Sequence, residues 1–421
     1  MSKNWMRLDN AALIFPAIKQ KRWVNVFRVS ATLRETVDAE TLQQAVRDLK
    51  PRFPSMYVRL RKGLFWYYLE EISAPPAVRE DYAFPMAHMG EKELRTCCLR
   101  VMYFENRIAV EFFHSLTDGT GGMIFLQTLT ARYLSLRHGI GIPAEEGVLD
   151  WQEAPKPEEL EDSFLKNTSK FILNDKEPNA YRLSGTYEPN FLRLTTGVIP
   201  SDRLIAAAHA CGSTVTVFLA AVMAQAILEY QAERLPVQRR RPVKITVPVN
   251  LRRLYGSSTL RNFVLTLNPG VDPRMGTYTL DELCRSITAQ LNAEATPQRM
   301  SGRIAANVTP QQIPLIRAIP LPVKNCVMRI IYDLRGESKG CINVSNLGVV
   351  KLPEAMRPWV ERMEFIIGPQ RSYPNNCSVA SYGNVTCVNM IRNIRESELE
   401  RRFFSRLVEL NVPVSIESNV K

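Results

Sequence analysis

A histidine followed four residues later by an aspartate and a glycine is the arrangement in this sequence with the clearest chemical potential. His114 follows a run, 107–113, whose alternation predicts a strand, and Asp118 and Gly119 precede a predicted helix. A residue at the end of a core strand is held rigidly yet can face a cleft, and a neutral imidazole accepts protons near pH 7. His114 is therefore a candidate general base. A structural histidine and a helix-capping Asp118 are the alternative interpretations.

Nucleotide-binding and metal chemistry find little support in the sequence. Gly119, Gly121 and Gly122 end the motif, but the GxxxxGK[ST] and GxGxxG spacings of phosphate-binding loops are absent. The eight cysteines form no CxxC pair and no Cys/His cluster at metal-ligand spacing, so we expect no metal site. Scattered cysteines of this kind fit a reducing, cytoplasmic location.

The elements that must position His114 follow the order strand, polar turn, helix. Segments 96–103 and 107–113 predict a hairpin, and apolar residues at helical spacing predict a helix from about 122 to 137. Earlier in the chain, 24–34 predicts a strand and 38–50 a helix that begins at a capping aspartate. The motif is therefore expected at the junction between a hairpin and a helix in an α/β arrangement.

The domain organisation is predicted from a break in this pattern. Residues 151–200 are polar, contain several prolines and show little periodicity, which is typical of a linker. Strands and helices resume after this segment. We therefore predict an N-terminal domain at 1–150, a linker or crossover at 151–200 and a C-terminal domain at 201–421.

The stretch around the histidine resembles the HxxxDG signature of the CoA-dependent acyltransferase superfamily, which includes chloramphenicol acetyltransferase, condensation domains and alcohol acetyltransferases. It runs from Phe112 to Gly122 as FFHSLTDGTGG. Further resemblances to alcohol acetyltransferase-like members span most of the chain and lie at 8–12, 49–54, 213–221, 248–252 and 345–348. Condensation domains usually carry two adjacent histidines, in the pattern HHxxxDG. In this sequence Phe113 occupies the position of the first histidine. This departure argues against peptide-bond condensation and favours the ester-forming, alcohol acetyltransferase-like members of the superfamily.

The resemblance implies two similar chloramphenicol acetyltransferase-like domains, each a mixed sheet with flanking helices, and an active-site tunnel between them. There His114 would take the proton of an alcohol or amine as it attacks a thioester carbonyl, and would return it to the leaving thiolate. Asp118 would be structural and paired with an arginine. Arg52 and Arg252 are both candidates, and we expect Arg52, because it lies in the Arg-Phe-Pro part of the resemblance at 49–54.

Two further groups of residues follow from the resemblance. A tetrahedral oxyanion needs hydrogen-bond donors, and the candidates are Asn262, Ser345 and Asn346. CoA carries phosphates and a carrier protein presents an acidic face. Either would suit the densest cationic stretch, which offers Arg239, Arg240, Arg241 and Lys244. A solvated loop is the alternative interpretation of that stretch.

Composition and charge agree with this class without identifying the substrate. Hydrophobic residues make up 45% and charged residues 23%, as in ordinary globular proteins, and the net charge of +12 favours an anionic partner. Aromatic residues are not interleaved with the basic ones, so we expect no nucleic-acid partner. We also expect no membrane span and no signal peptide, because the most apolar stretch, 215–228, is short and the first residues lack the signal pattern.

The predicted function is transfer of an acyl group, for example acetyl, from a CoA thioester to a small-molecule alcohol or amine. Acyl-CoA would be a co-substrate, and no permanently bound cofactor is expected. Two alternatives stay open. One is a condensation-like enzyme of lipopeptide or polyketide assembly that takes its acyl group from a carrier protein. The other is a catalytically silent relative that only binds a carrier protein.

Overall fold

The computed structural model describes residues 4–17, 24–81, 84–173, 177–189, 191–335, 338–370 and 373–420. Strands in these ranges are β1 (Trp5–Arg7), β2 (Val26–Leu33), β3 (Val58–Lys62), β4 (Tyr67–Glu71), β5 (Arg79–Glu80), β6 (Leu99–Phe104), β7 (Arg107–Phe113), β8 (Arg193–Pro200), β9 (Val243–Asn250), β10 (Val264–Leu267), β11 (Gly270–Val271), β12 (Ile342–Val349), β13 (Val360–Ile367), β14 (Asn375–Tyr382), β15 (Val385–Arg392) and β16 (Ser415–Ser418).

The α-helices in the same ranges are α1 (Ile14–Ala17), α2 (Ala39–Asp48), α3 (Glu91–Leu94), α4 (Gly119–His138), α5 (Pro157–Leu160), α6 (Ser163–Lys166), α7 (Ser201–Ala210), α8 (Val215–Ala232), α9 (Arg252–Tyr255), α10 (Leu280–Glu294), α11 (Pro297–Gln312), α12 (Pro314–Arg317), α13 (Leu321–Arg335) and α14 (Glu398–Glu409). Short 3-10 helices lie at Val237–Arg239 and Glu354–Met356.

Three sheets organise the described part of the chain. The first has the strand order β13-β2-β7-β6-β5, the second has the order β10-β9-β12-β14-β15-β8-β16 with β11 also paired to β9, and a small third sheet has the order β1-β4-β3. Parallel and antiparallel pairs occur in both larger sheets. Helix α4 packs on the first sheet and α8 on the second, with further helices beside them. The predicted α/β class, with mixed sheets and flanking helices, is confirmed.

Two strands cross the domain boundaries that the sequence predicts. Strand β13 lies within 201–421, yet it pairs with β2 in the first sheet. Strand β8 lies within the predicted linker 151–200, yet it pairs with β15 in the second sheet. The boundaries need correction at these strands, because alternation of side chains identifies a strand but not the strand beside it.

The segment that carries the motif folds as its sequence predicts. Strands β6 and β7 form the antiparallel hairpin, and α4 begins directly after the polar turn. The Asp118 carboxylate caps this helix, because its Oδ1 accepts from the backbone N–H groups of Thr120 and Gly121 at 3.1 and 3.2 Å. The helix ends at Gly139, whose φ of 65° lies in the left-handed region that glycine adopts readily.

Helix α8 contains 215–228, the most apolar stretch of the sequence. Among the helices of the described ranges, it alone has the length and apolar composition that a membrane span requires. However, 61% of its residues are buried inside the protein, where Phe218, Leu219 and Ile227 pack in the core of the second sheet. A core helix of a folded protein shares this length and composition.

Gly121 provides a test of the contact between the motif and the second half of the chain. A Cβ at this position would lie 2.2 Å from Thr117 Oγ1 and 2.4 Å from the backbone oxygen of Leu260. We expect Gly121→Ala to lower the free energy of unfolding by about 2 kcal/mol through overpacking. Thermal unfolding measures the effect. Gly141→Ala is the control, since a Cβ there meets nothing within 4 Å, and equal midpoints for the two variants would contradict the packing described.

Candidate active site

His114 lies at the end of β7 inside an aromatic enclosure. Its backbone N–H donates to the carbonyl oxygen of Asn25 at 2.9 Å, which fixes the main chain. The Phe15 ring stacks on the imidazole with centroids 4.5 Å apart, and the Phe27 ring meets it edge-on at 5.1 Å. Phe15 belongs to α1, and its carbonyl oxygen accepts from the Asn25 side chain at 2.9 Å. The imidazole is therefore held between rings, yet His114 is only partly buried.

The neighbours of His114 select one tautomer of its ring. Asn262 places its Oδ1 3.2 Å from Nδ1 of His114, while its Nδ2 donates to Oδ2 of Asp9 at 3.1 Å. The Asp9 carboxylate accepts hydrogen bonds, so the amide nitrogen of Asn262 faces Asp9 and its oxygen faces His114. A carbonyl oxygen only accepts, hence Nδ1 carries the proton and Nε2 keeps its lone pair. This arrangement leaves Nε2 as the basic atom.

Burial controls the protonation of both ends of this chain of hydrogen bonds. Desolvation by burial lowers the pKa of His114 below its ordinary value of 6.5, against the smaller opposing effects of its own backbone carbonyl, Asp118 and Asn262. Burial also raises the pKa of Asp9 to about 6, against the opposing charge of Arg261. Near pH 7.5 the imidazole is therefore neutral and Asp9 is ionised.

Asp118 pairs with Arg252, and the predicted pairing with Arg52 is wrong. Oδ2 of Asp118 accepts from Nη1 of Arg252 at 2.8 Å and from the backbone N–H of Phe263 at 2.9 Å. The side chains of Asp118 and Arg252 are 4% and 9% exposed, so the ion pair is buried. Remaining Arg252 donors bond to the carbonyl oxygens of Thr259 and Arg261. The pair therefore ties the start of α4 to the segment after α9.

Arg52 has a different structural role. Its guanidinium forms a bidentate ion pair with Glu159, with N–O distances of 2.6 and 2.8 Å. Its Nε donates to the carbonyl oxygen of Asp150. It therefore anchors the segment that follows α4. The sequence could not separate the two arginines, because both lie within family-like stretches, at 49–54 and 248–252, and only the folded chain decides which carboxylate each one meets.

The other polar residues of the motif bond to backbone on either side. The Ser115 hydroxyl donates to the carbonyl oxygen of Ala12 at 3.0 Å, and the Thr117 hydroxyl donates to that of Leu260 at 2.6 Å. Gly119 is required by close packing, since a Cβ there would lie 2.9 Å from the side chains of Leu347 and Phe365. The turn is thus fixed to the N-terminal segment and to the second half of the chain.

The three oxyanion candidates differ in what their side chains already bind. Both ends of the Asn262 amide are engaged, which favours a positioning role. Asn346 donates to the Thr216 hydroxyl at 3.0 Å, and its Oδ1 accepts from the backbone N–H of Gly348 at 2.8 Å. The Ser345 hydroxyl has no hydrogen-bond partner among the described residues. It lies two residues before Leu347, whose side chain packs against Gly119.

The motif lies near the end of β9, whereas the residues predicted to bind donor phosphates lie before this strand or near its start. These residues are Arg239, Arg240, Arg241 and Lys244. Asn250, at the end of this strand, donates to the Thr120 hydroxyl at 3.2 Å, whereas Lys244 lies near its start. Six residue-to-residue steps along the strand separate these positions by about 20 Å. Lys244 is also engaged, because its ammonium group binds Glu177 at 3.2 Å and is buried. A phosphate contact through Lys244 is therefore disfavoured.

The neighbouring arginines form a basic pocket of about 480 Å³. Arg239 and Arg241 line it together with Arg182 and Tyr181. Arg240 instead turns towards the end of α8, where its Nε donates to the carbonyl oxygen of Leu235. The side chains of Arg182, Arg239 and Arg241 have no ion-pair partner within the described ranges, so this pocket keeps an uncompensated positive charge. Its use for donor phosphates stays a prediction.

The side chains that surround His114 are not predicted by any motif in the sequence. Asp9 lies between β1 and α1, Phe15 in α1, Asn25 just before β2 and Phe27 in β2, from 87 to 105 residues before the histidine. Asp9 lies within 8–12, a stretch that resembles alcohol acetyltransferase-like members. This resemblance was the signal in the sequence that could have pointed to Asp9. Nothing in the local pattern of the aromatic residues distinguishes them from ordinary core residues.

The architecture is similar to that of several solved proteins, although no family model and no curated protein matches the chain. Polyketide synthase associated protein 5 from Mycobacterium tuberculosis is 15% identical, with a TM-score of 0.61 and 96% of each chain covered. TRI3 trichothecene 15-O-acetyltransferase from Fusarium sporotrichioides is 13% identical, with a TM-score of 0.60 over 97% of this chain and 94% of that one. F. graminearum TRI101 complexed with coenzyme A and deoxynivalenol is 12% identical, with a TM-score of 0.62 over 98% and 100%.

The chain therefore has the fold of the CoA-dependent acyltransferases, which condensation domains share. The resemblance drawn from the motif is confirmed at the level of the fold and over nearly the whole chain. Identities of this size establish architecture alone. The predicted chemistry depends on the residues around His114.

The ion pair of Asp118 can be tested by double-variant cycles. Arg252→Met leaves a buried carboxylate unpaired, so we expect a loss of about 3 to 5 kcal/mol in the free energy of unfolding. Combined with Asp118→Asn, the loss should be smaller than the sum of the single losses, because the two residues are in contact. Arg52→Met is the matched control and should add independently to Asp118→Asn. Coupling of Asp118 to Arg52 instead of Arg252 would refute the pairing.

The tautomer of His114 is accessible to ¹⁵N NMR, since the chain has only four histidines. We expect a proton on Nδ1, a bare Nε2 and a pKa below 6.5. Asn262→Ala should release the constraint on the tautomer and lower the pKa of His114 further, because the Asn262 hydrogen bond favours the charged ring. Signals of the other three histidines serve as the internal control. A proton on Nε2 in the unaltered protein would contradict this geometry.

Proposed function

We propose that the protein is an acyltransferase that moves an acyl group from a CoA thioester to an alcohol or amine, with His114 as the general base. The observation that carries the proposal is the Asp9–Asn262–His114 chain of hydrogen bonds, which leaves Nε2 unprotonated beside an aromatic enclosure. The fold supports the same class of reaction.

In the proposed reaction the acceptor hydroxyl or amine binds with its proton towards Nε2 of His114. As its oxygen or nitrogen attacks the thioester carbonyl, the proton moves to Nε2 and a tetrahedral intermediate forms. Collapse of the intermediate breaks the C–S bond, and the imidazolium returns the proton to the CoA sulfur. The acyl ester or amide and free CoA are the products, and no covalent enzyme intermediate is needed. Holding both substrates in place supplies much of the rate enhancement.

The remaining groups of the site have supporting roles in this proposal. Asn262 keeps the imidazole in the reactive tautomer, and Asp9 keeps Asn262 in orientation. Ser345 is the preferred donor to the oxyanion, because its hydroxyl is uncommitted, whereas the amides of Asn262 and Asn346 are engaged. Asp118 acts through structure, since both of its oxygens hold the turn.

Acyl-CoA is proposed as a co-substrate rather than a resident cofactor, and the reaction is proposed to occur in the cytoplasm. The pocket at Arg182, Arg239 and Arg241 offers positive charge for the phosphates of CoA. A carrier protein with an acidic face would meet the same charge, so the donor is decided by experiment rather than by electrostatics.

The proposed base can be tested by following thiol release from an acyl-CoA panel in the presence of mixed alcohols and amines. We expect His114→Ala to reduce the rate by about 10²–10⁴-fold, the usual contribution of a general base. His209→Ala is the control, because His209 is exposed on α7.

The unaltered protein should lose activity as the pH falls through a value below 6.5, where the imidazole becomes protonated.

Undiminished turnover in His114→Ala would refute the mechanism. A parallel assay with an acyl-loaded carrier protein separates the two donors, since turnover with the carrier alone favours the condensation-like alternative. Thermal stabilisation by CoA without turnover on any donor would favour the catalytically silent alternative.

A further inference from the structure

Helix α13 presents apolar side chains to solvent as well as to the protein interior. Val323, Val327 and Ile330 are 52%, 46% and 54% exposed. Their spacing of four and three residues places them on one face of the helix. Two polar residues point the other way, since Lys324 donates to the carbonyl oxygen of Phe65 and Asn325 donates to the hydroxyl of Tyr67. Leu321 of the same helix is only 4% exposed, so the exposed stripe is an apolar face additional to the inner one.

The same end of the molecule exposes further large apolar side chains. Leu315 on α12 is 78% exposed, and Leu64 and Trp66 in the turn between β3 and β4 are 71% and 41% exposed. The turn is joined to α13, because the backbone N–H of Leu321 donates to the carbonyl oxygen of Leu64 at 2.9 Å. We name this surface the apolar platform; it consists of Leu64, Trp66, Leu315, Val323, Val327 and Ile330.

Positive charge surrounds the apolar platform. The Trp66 ring lies 5.9 Å from the guanidinium carbon of Arg7 and 5.6 Å from the ammonium of Lys324. Segment 313–335 contains four basic residues and one acidic residue, a net charge of +3 (4 − 1). Cations and a tryptophan beside protruding aliphatic side chains are the composition of surfaces that bind at the headgroup level of an anionic bilayer.

The apolar platform is also close to the candidate active site. Helix α13 contacts α1, and α1 carries Phe15, whose ring stacks on His114 at 4.5 Å. Helix α1 therefore lies between α13 and the imidazole.

We propose that the apolar platform docks on an anionic lipid surface and that the acceptor is a lipid-soluble alcohol delivered from it. The second part rests on the proposed acyl transfer, whereas docking does not. Aliphatic side chains would enter the acyl boundary, and the flanking cations would meet anionic headgroups. Docking of this kind needs no helix that spans the bilayer.

Vesicle co-sedimentation tests the docking directly. Binding to vesicles of phosphatidylcholine with phosphatidylserine should exceed binding to phosphatidylcholine alone by about tenfold, and high salt should remove this difference. The double variant Val323→Glu/Val327→Glu should lower the affinity by at least about tenfold, through lost apolar insertion and charge repulsion. The matched control is Met275→Glu/Ile416→Glu, which adds the same charge at residues 83% and 50% exposed elsewhere. The control should bind like the unaltered protein.

A second measurement avoids dependence on the variants. Cys326 lies on α13 and is the exposed cysteine of the chain, whereas the other seven are buried or half-buried. A polarity-sensitive fluorophore on Cys326 should shift to the blue with phosphatidylserine vesicles, and Cys326→Ser should take no label. Absence of both sedimentation and a spectral shift would overturn the docking. So would concentration-dependent dimerisation that Val323→Glu/Val327→Glu abolishes in a protein that does not bind vesicles.

The two proposals fail in different ways. Vesicle binding without acyl transfer to any alcohol would leave the docking intact and refute the proposed function. Transfer to soluble alcohols without vesicle binding would refute the docking and leave the proposed function intact. Delivery from the membrane is refuted if both activities occur but a long-chain alcohol embedded in vesicles reacts no faster with the unaltered protein than with Val323→Glu/Val327→Glu.

Discussion

The buried contact between Asp118 and Arg252 is the constraint on which the geometry of the site depends. One carboxylate caps α4 through Oδ1 and holds Arg252 and the backbone of Phe263 through Oδ2. A buried charge is costly unless it is paired and fully hydrogen-bonded, so the two segments that meet there have little freedom to separate. The turn that carries His114 is thereby fixed against the second half of the chain.

The same segment supplies the partner of the imidazole. Asn262 directly precedes Phe263, whose N–H binds Asp118, so neighbouring residues of one segment bind Asp118 and face His114. Asp9 completes the arrangement from the N-terminal part of the chain. The candidate base is therefore positioned by three distant stretches of sequence, and its tautomer follows from the order of donors and acceptors rather than from a direct ion pair.

The excess of positive charge is distributed over surfaces with different characters. The pocket at Arg239 and Arg241 is polar and lies at the start of β9, whereas the apolar platform combines cations with exposed aliphatic side chains beside α1. Net charge alone suggested an anionic partner without distinguishing phosphates from a lipid surface. The two surfaces have no residue in common, so the proposed phosphate contact and the proposed lipid contact can be tested separately.

The sequence by itself determined the class of fold, the hairpin and helix around the motif, and His114 and Asp118 as the residues of interest, because these depend on local periodicity, capping and a short motif. Only the tertiary structure decided that Arg252 and not Arg52 meets Asp118, that β13 joins the first sheet, and that Asn262 faces the imidazole with its oxygen. It also revealed that the apolar stripe of α13 faces outward. Contacts of this kind join residues up to 340 positions apart, as Phe27 and Ile367 are in the pairing of β2 with β13, and no local pattern encodes which distant surface a side chain will meet.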